Sequence, residues 1–191
     1  MAHWKTIRHF HDIVHLHELT FSCYQRIPLL TNDTWRKKLA RCIDAAGEET
    51  SFELVGFVFM PEHVHLLVYP KIPNPSIGFY LARLKQPFSK QIKAVLTKQR
   101  SHLLSRLTVR ERPGKTCFRF WQEGAGYDRN LYSSDAIAAS LEYLHNNPVR
   151  RELCQTAVDW KWSSARYYLE SSRARDPDLP FIHGLPEGAI T

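Results

Sequence analysis

Apolar and polar positions alternate along this chain with two periods, and together they lay out an ordered series of strands and helices. His11 to Tyr24 is apolar and β-prone, reading as a first strand that Pro28 ends. Thr31-Asn32-Asp33-Thr34 offers caps for a helix through Ala46, because Trp35, Leu39 and Ile43 recur at i, i+4, i+8. Gly47 is its expected stop. Phe52 to Met60 predicts a largely buried strand, Pro61-Glu62 a tight reversal, and His63 to Tyr69 the antiparallel partner. Ser76 to about Leu107 reads as mainly helical, with Pro87 calling for a kink or boundary near Gln86. After a loop at Pro113-Gly114, strands are expected near Phe118 to Gln122 and from Tyr127 to Leu131. Ser134 or Asp135 then caps a helix from Ala136 to about Asn146, and Ser163 or Ser164 a short one from Ala165 to Leu169.

The order β-α-β-β-α-β-α suggests an α+β fold, a ferredoxin-like antiparallel sheet with helices packed on one face. Residues 1–170 form one expected domain, and the proline-punctuated stretch 171–191 an irregular tail.

Composition narrows the function classes. Across 191 residues, 43% hydrophobic, the chain can bury a core without staples, and its four cysteines include no C-x-x-C pair. No membrane span or secretory leader is apparent, so a reducing, cytoplasmic setting is expected, with the thiols mostly buried. The net charge of +7 is unevenly distributed. Arg83 to Arg119 holds eleven basic residues against the single acidic Glu111, a local excess of ten. Such a block is the footprint of a polyanion partner or a solvated helix face.

Among the His-x-His triplets are His15-Leu16-His17 and His63-Val64-His65. On a strand, alternation puts both imidazoles of a triplet on one face and the central apolar residue on the other, which suits a metal clamp. His63 and His65 open the second strand of an apolar hairpin, a rigid place for ligands, whereas His15 and His17 are expected to pack across strands or face solvent. On the helix from Ala136, Ile137, Leu141 and Leu144 fall within about 60° and make the core stripe. Tyr143 and Asn147 lie about 40° apart on a flank lined by Ala139 and Ser140, while His145 points about 160° away from Tyr143. An amide oxygen one turn after a phenol can complete a metal site begun by two imidazoles, with the phenol as nucleophile. His145 is then a surface or packing histidine. Trp121, Trp160 and Trp162 are expected to be buried rather than to stack on bases.

Phe59-Met60-Pro61-Glu62-His63-Val64-His65-Leu66-Leu67 resembles the HUH motif of single-tyrosine transposases, specifically the REP-associated tyrosine transposases. Leu141 to Arg150 resembles their nucleophile helix, and Trp121-Gln122, Gly126-Tyr127-Asp128-Arg129 and Trp160-x-Trp162-Ser163-Ser164 resemble their remaining signatures. Glu152 stands where relatives often carry glycine. The resemblance implies an HUH endonuclease-type fold, His63 and His65 as metal ligands, Tyr143 as the attacking residue and Asn147 as third ligand. It also implies a single-stranded DNA substrate with a hairpin, cut and rejoined through a 5′-phosphotyrosine. Two imidazoles and an amide leave positions open, which suits Mg²⁺ or Mn²⁺. Arg83, Lys85, Gln86, Lys90 and Lys93 are candidates for DNA backbone contact. The resemblance suggests a monomer whose Tyr143 serves its own histidines; spacing alone equally allows a tyrosine from a second copy. A metal-dependent nucleic-acid hydrolase and a non-catalytic hairpin-binding protein are the competing readings.

Overall fold

The computed structural model describes residues 15–124, 126–170 and 175–187. Strand β1 (Leu16–Ser22) is followed by helix α1 (Asp33–Thr50), the hairpin β2 (Phe52–Phe59) and β3 (His63–Pro70), and helix α2 (Ile77–Lys98). Next come α3 (His102–Arg106), β4 (Thr108–Arg112), β5 (Lys115–Phe118), β6 (Tyr127–Leu131), α4 (Ser134–Arg150) and α5 (Ala165–Leu169). Residues 11–14 of the expected first strand lie outside the described residues.

The main sheet has the order β2-β3-β1-β6, and every neighbouring pair is antiparallel. This is the split β-α-β arrangement that the element order suggested. Alternation along the strands gives the sheet two apolar faces of unequal character. Leu19, Phe21, Phe57, Phe59, Val64 and Leu66 point to the face covered by α1 and α2, where Leu39, Ile43, Leu84, Phe88 and Ile92 complete the main core. Burying each such side chain contributes about 1.5–3 kcal/mol. On the other face, Val55 and Leu67 meet Ile137 and Leu141 of α4, and Val58 and Met60 meet Leu144. The two crossover helices therefore share one face, as expected, while α4 lies against the opposite one. Its Ile137-Leu141-Leu144 stripe needs an apolar partner, and the second face of the β2–β3 hairpin supplies it.

Local chemistry accounts for several element ends. Asn32 caps α1 by accepting from the Trp35 N–H at 3.2 Å, and Ser76 and Ser133 cap α2 and α4 in the same way. Helix α1 runs past its expected stop at Gly47 and ends at Ser51, which takes the left-handed conformation. Gly47 instead permits a close pass, since a Cβ there would lie 2.7 Å from the Phe52 carbonyl oxygen. Pro87 and Pro148 both sit inside continuous helices. The β4–β5 hairpin is an addition to the expected elements. Phe120 and Trp121, in the expected strand from Phe118, instead follow β5 as a buried segment, with Trp121 bridging to Cys23. Trp162 is also buried and Trp160 half-buried. Residues 175–187 form no helix or strand but are bonded to the body: the Phe181 N–H donates to Asp44 Oδ1 and the His183 N–H to the Leu54 carbonyl. No helix among the described residues is long and apolar enough to cross a membrane.

Candidate active site

His63 and His65 alternate onto the α4 face of β3, both buried, with Val64 anchored in the opposite core. Their Nε2 atoms are 3.0 Å apart. Each ring is fixed through its other nitrogen. His63 Nδ1 is 3.1 Å from Glu62 Oε1 and His65 Nδ1 is 2.7 Å from Thr20 Oγ1, across the β1–β3 ladder. A carboxylate only accepts, so it selects the Nδ1–H tautomer of His63 and turns the Nε2 lone pair toward the site. With His65 donating to Thr20, the two lone pairs face each other.

Burial lowers the pKa of both rings. Desolvation is the main cause at each; at His63 the Glu62 carboxylate opposes it, and at His65 the neighbouring His63 adds to it, bringing the value to about 4. Both imidazoles are thus neutral at pH 7, the form that binds metals. Burial would raise the Glu62 carboxyl, but the Arg151 hydrogen bond and the charges of His63 and Arg151 outweigh it and hold the group below its ordinary value. Glu62 Oε1 is 2.9 Å from the Arg151 guanidinium.

Helix α4 brings up the remaining groups. Gly56 on β2 allows its close approach, as a Cβ there would come 2.9 Å from Leu141 Cδ2. Asn147 is buried, its amide nitrogen 3.2 Å from His65 Nε2, and turning that amide over places Oδ1 at the same point. One turn earlier, Tyr143 is 43% exposed, its ring edge-on to His65 with centroids 5.8 Å apart. The Arg150 guanidinium lies 5.1 Å from the Tyr143 ring centroid. Thr20, Ser22, Arg26, Arg150 and Arg151 line the open pocket around this group.

The donor set fits a divalent cation. Two bonds of about 2.1 Å at a right angle span about 3.0 Å, the separation of the two Nε2 atoms. No group of three or more His, Cys, Asp or Glu side chains suited to a metal occurs among the described residues, and a third donor to the pair would be of another type, such as the Asn147 amide oxygen beside His65.

His145 is where helical arithmetic put it, on the other flank of α4. It is buried with Nε2 2.8 Å from Ser164 Oγ and its ring beside Tyr168, a packing histidine. Burial lowers its pKa to about 4. His17 pairs with Asp128 at 3.0 Å, across β1 and β6. The α2 residues fall elsewhere: Arg83, Lys85, Gln86, Lys90 and Lys93 lie on the helix that covers the sheet face away from His63 and His65. Arg83 pairs with Glu49 of α1, and Lys85 reaches toward the Gly124 carbonyl and the Phe21 ring. Lys85, Gln86 and Lys90 instead border a groove against β5 and the segment after it. The cations beside the histidines are Arg26, Arg150 and Arg151, which sequence reasoning did not single out; the arginines after Asn147, one turn beyond a candidate ligand, were the available signal.

A sheet carrying a histidine pair, with one tyrosine and an asparagine presented to it by a helix on the same face, defines a compact α+β class built around a single phenol. Residues 13–147 match the family described as IS200-like transposases, and the chain belongs to that family. A Haemophilus influenzae protein bearing the provisional name REP-associated tyrosine transposase is 29% identical over 117 residues, a stretch that covers 61% of each chain. The fold is similar to that of a REP-associated tyrosine transposase solved bound to a REP hairpin. That likeness covers 99% of this chain and 96% of the other, with a TM-score of 0.65 and 16% identity.

Proposed function

We propose that the protein cleaves and rejoins single-stranded DNA at hairpin-forming repetitive palindromes, in a metal-dependent transesterification through Tyr143. The observation that carries this reading is the meeting of Tyr143, Asn147 and the histidine pair within one chain, on one face of one sheet. His63, His65 and Asn147 would hold Mg²⁺ or Mn²⁺, the nitrogen ligands favouring Mn²⁺, and the ion would polarise the phosphate and offset charge on the attacking oxygen.

Tyr143 Oη attacks phosphorus, the bond to the 3′ oxygen breaks, and a 5′-phosphotyrosine and a 3′-hydroxyl result, the proton ending on the departing oxygen. The covalent link conserves the phosphodiester energy, so reversal by a 3′-hydroxyl rejoins DNA without a nucleotide cofactor. His65 stands perpendicular to the Tyr143 ring and Arg150 lies over it, contacts that hold the ring beside the histidine pair. Arg26, Arg150 and Arg151 offer charge to the phosphates on either side. Supply of the phenol from the same chain supports a monomer as the working unit.

The test is covalency. Single-stranded DNA carrying a hairpin, incubated with the protein and Mn²⁺, is expected to give a denaturation-resistant adduct that Tyr143→Phe abolishes. Metal-dependent cleavage that survives in Tyr143→Phe would instead assign a hydrolase, and hairpin binding without cleavage under any divalent ion a binding protein.

A further inference from the structure

A second recess opens on the other side of Tyr143, bordered by β1, β6 and the first half of α4, and it shares Thr20, His65 and Tyr143 with the pocket already described. Its own residues are of a different kind. Glu18 projects into it from β1 with a side chain only 14% exposed, held loosely by Arg129 at 3.9 Å. Ser140 on α4 is 6% exposed, and its Oγ has no hydrogen-bond partner among the described residues. A buried hydroxyl without a partner is destabilising, and a ligand seated in the recess would supply the missing hydrogen bond. Tyr127, 54% exposed, stands at the rim, and Ala139 leaves the helix side open. Gly126 secures the wall: with φ of +82° it starts β6 so close to β1 that a Cβ would fall 2.2 Å from the Thr20 carbonyl oxygen.

We infer that this recess is a nucleobase subsite, taking the unpaired base next to the phosphate that Tyr143 attacks and preferring one with an exocyclic amino group. An aromatic rim, a partly buried carboxylate and a buried hydroxyl are the elements of base recognition: the ring stacks on Tyr127, the amino group donates to Glu18, and Ser140 completes the base edge. Thymine carries a carbonyl oxygen where cytosine has its amino group and offers only an N3–H flanked by two carbonyl oxygens, so against the carboxylate it is disfavoured. Arg129 at the mouth is placed for the adjoining phosphate. The subsite rests on Tyr143 being the nucleophile, but its test reads binding alone.

Binding of deoxycytidine, deoxyadenosine and thymidine homo-oligonucleotides is measured without divalent metal, so that no chemistry intervenes. The intact protein is expected to hold the amino-bearing strands about ten-fold more tightly than the thymidine strand, within the range of one good base contact. Glu18→Gln, whose amide can serve either kind of base, should erase that preference, while Ala139→Phe, on the exposed side of α4, should fill the recess and weaken all three strands. A preference unchanged in Glu18→Gln, or strand binding unchanged in Ala139→Phe, overturns the subsite. A preference that behaves as expected in a protein that forms no adduct would leave the subsite standing and remove the cut-and-rejoin reading; the reverse pair of results would do the opposite.

Discussion

Glu62 holds His63 in place: its Oε1 lies 3.1 Å from the imidazole Nδ1, and both side chains are buried. The same oxygen also receives the Arg151 guanidinium. Removing the carboxylate frees the ring to change tautomer and leaves Arg151 without its partner. Glu62→Ala is therefore expected to weaken Mn²⁺ binding by about 10–100-fold, as removal of such ligand-orienting groups does. Titration followed by Mn²⁺ electron paramagnetic resonance reads this directly, and an unchanged affinity would detach Glu62 from the metal site.

The seam between α4 and the sheet depends on the missing side chain of Gly56. In Gly56→Ala the new methyl meets Leu141, and the overpacking should cost about 1–3 kcal/mol in chemical denaturation. It should also lift Tyr143 and Asn147 from the histidines, so adduct formation should fall further than the decrease in folded protein explains. Unaltered activity in a folded Gly56→Ala protein would show that the close approach is not needed for the chemistry.

Helix α2 makes a different prediction because it lies on the far face. Replacing Lys85, Lys90 and Lys93 together should weaken hairpin binding and lower the salt dependence by about 0.9 in slope for each DNA phosphate that is no longer neutralised. Adduct formation on a short unpaired strand should be little changed. An unchanged salt slope would return these lysines to a solvated helix face.

Asp44 gives a pH-dependent expectation away from the site. Burial raises its carboxyl above the ordinary 3.8, despite the hydrogen bond from the Phe181 N–H and the nearby Arg175. The folded chain then binds a proton more readily than the unfolded one, so stability falls as pH rises from 3.8 through the raised value. Asp44→Asn keeps an acceptor for Phe181 without the charge. It should be more stable than the parent at pH 7 and lose this advantage at pH 4, as urea denaturation at the two values would reveal.

The two periodic elements of the site were the legible ones. Alternation put His63 and His65 together, and a 3.6-residue turn paired Tyr143 with Asn147 and sent His145 elsewhere, because strands and helices carry their geometry in the spacing. Arg26, Glu62 and Thr20 reach the site through turns and strand pairing, which spacing does not encode. The β4–β5 hairpin escaped notice because Thr108–Arg112 is short, charged and mostly exposed, with no clear apolar alternation. Gly47 looked like a helix stop although its role is steric. The basic run from Arg83 was plain in the sequence, but only the sheet topology separates it from the histidines.

The two sides of the sheet are covered unequally, and this bears on what can reach the histidines. One side is sealed by a pair of long helices, whereas on the other α4 and the short α5 cover the β2–β3 hairpin and leave Thr20 and Ser22 lining an open trough. In the proposed reaction these strands would be the bed on which an extended chain of nucleotides lies, with α4 as one bank. Tyr143 would attack from that bank, so threading a strand along the trough and presenting it for attack would be a single event.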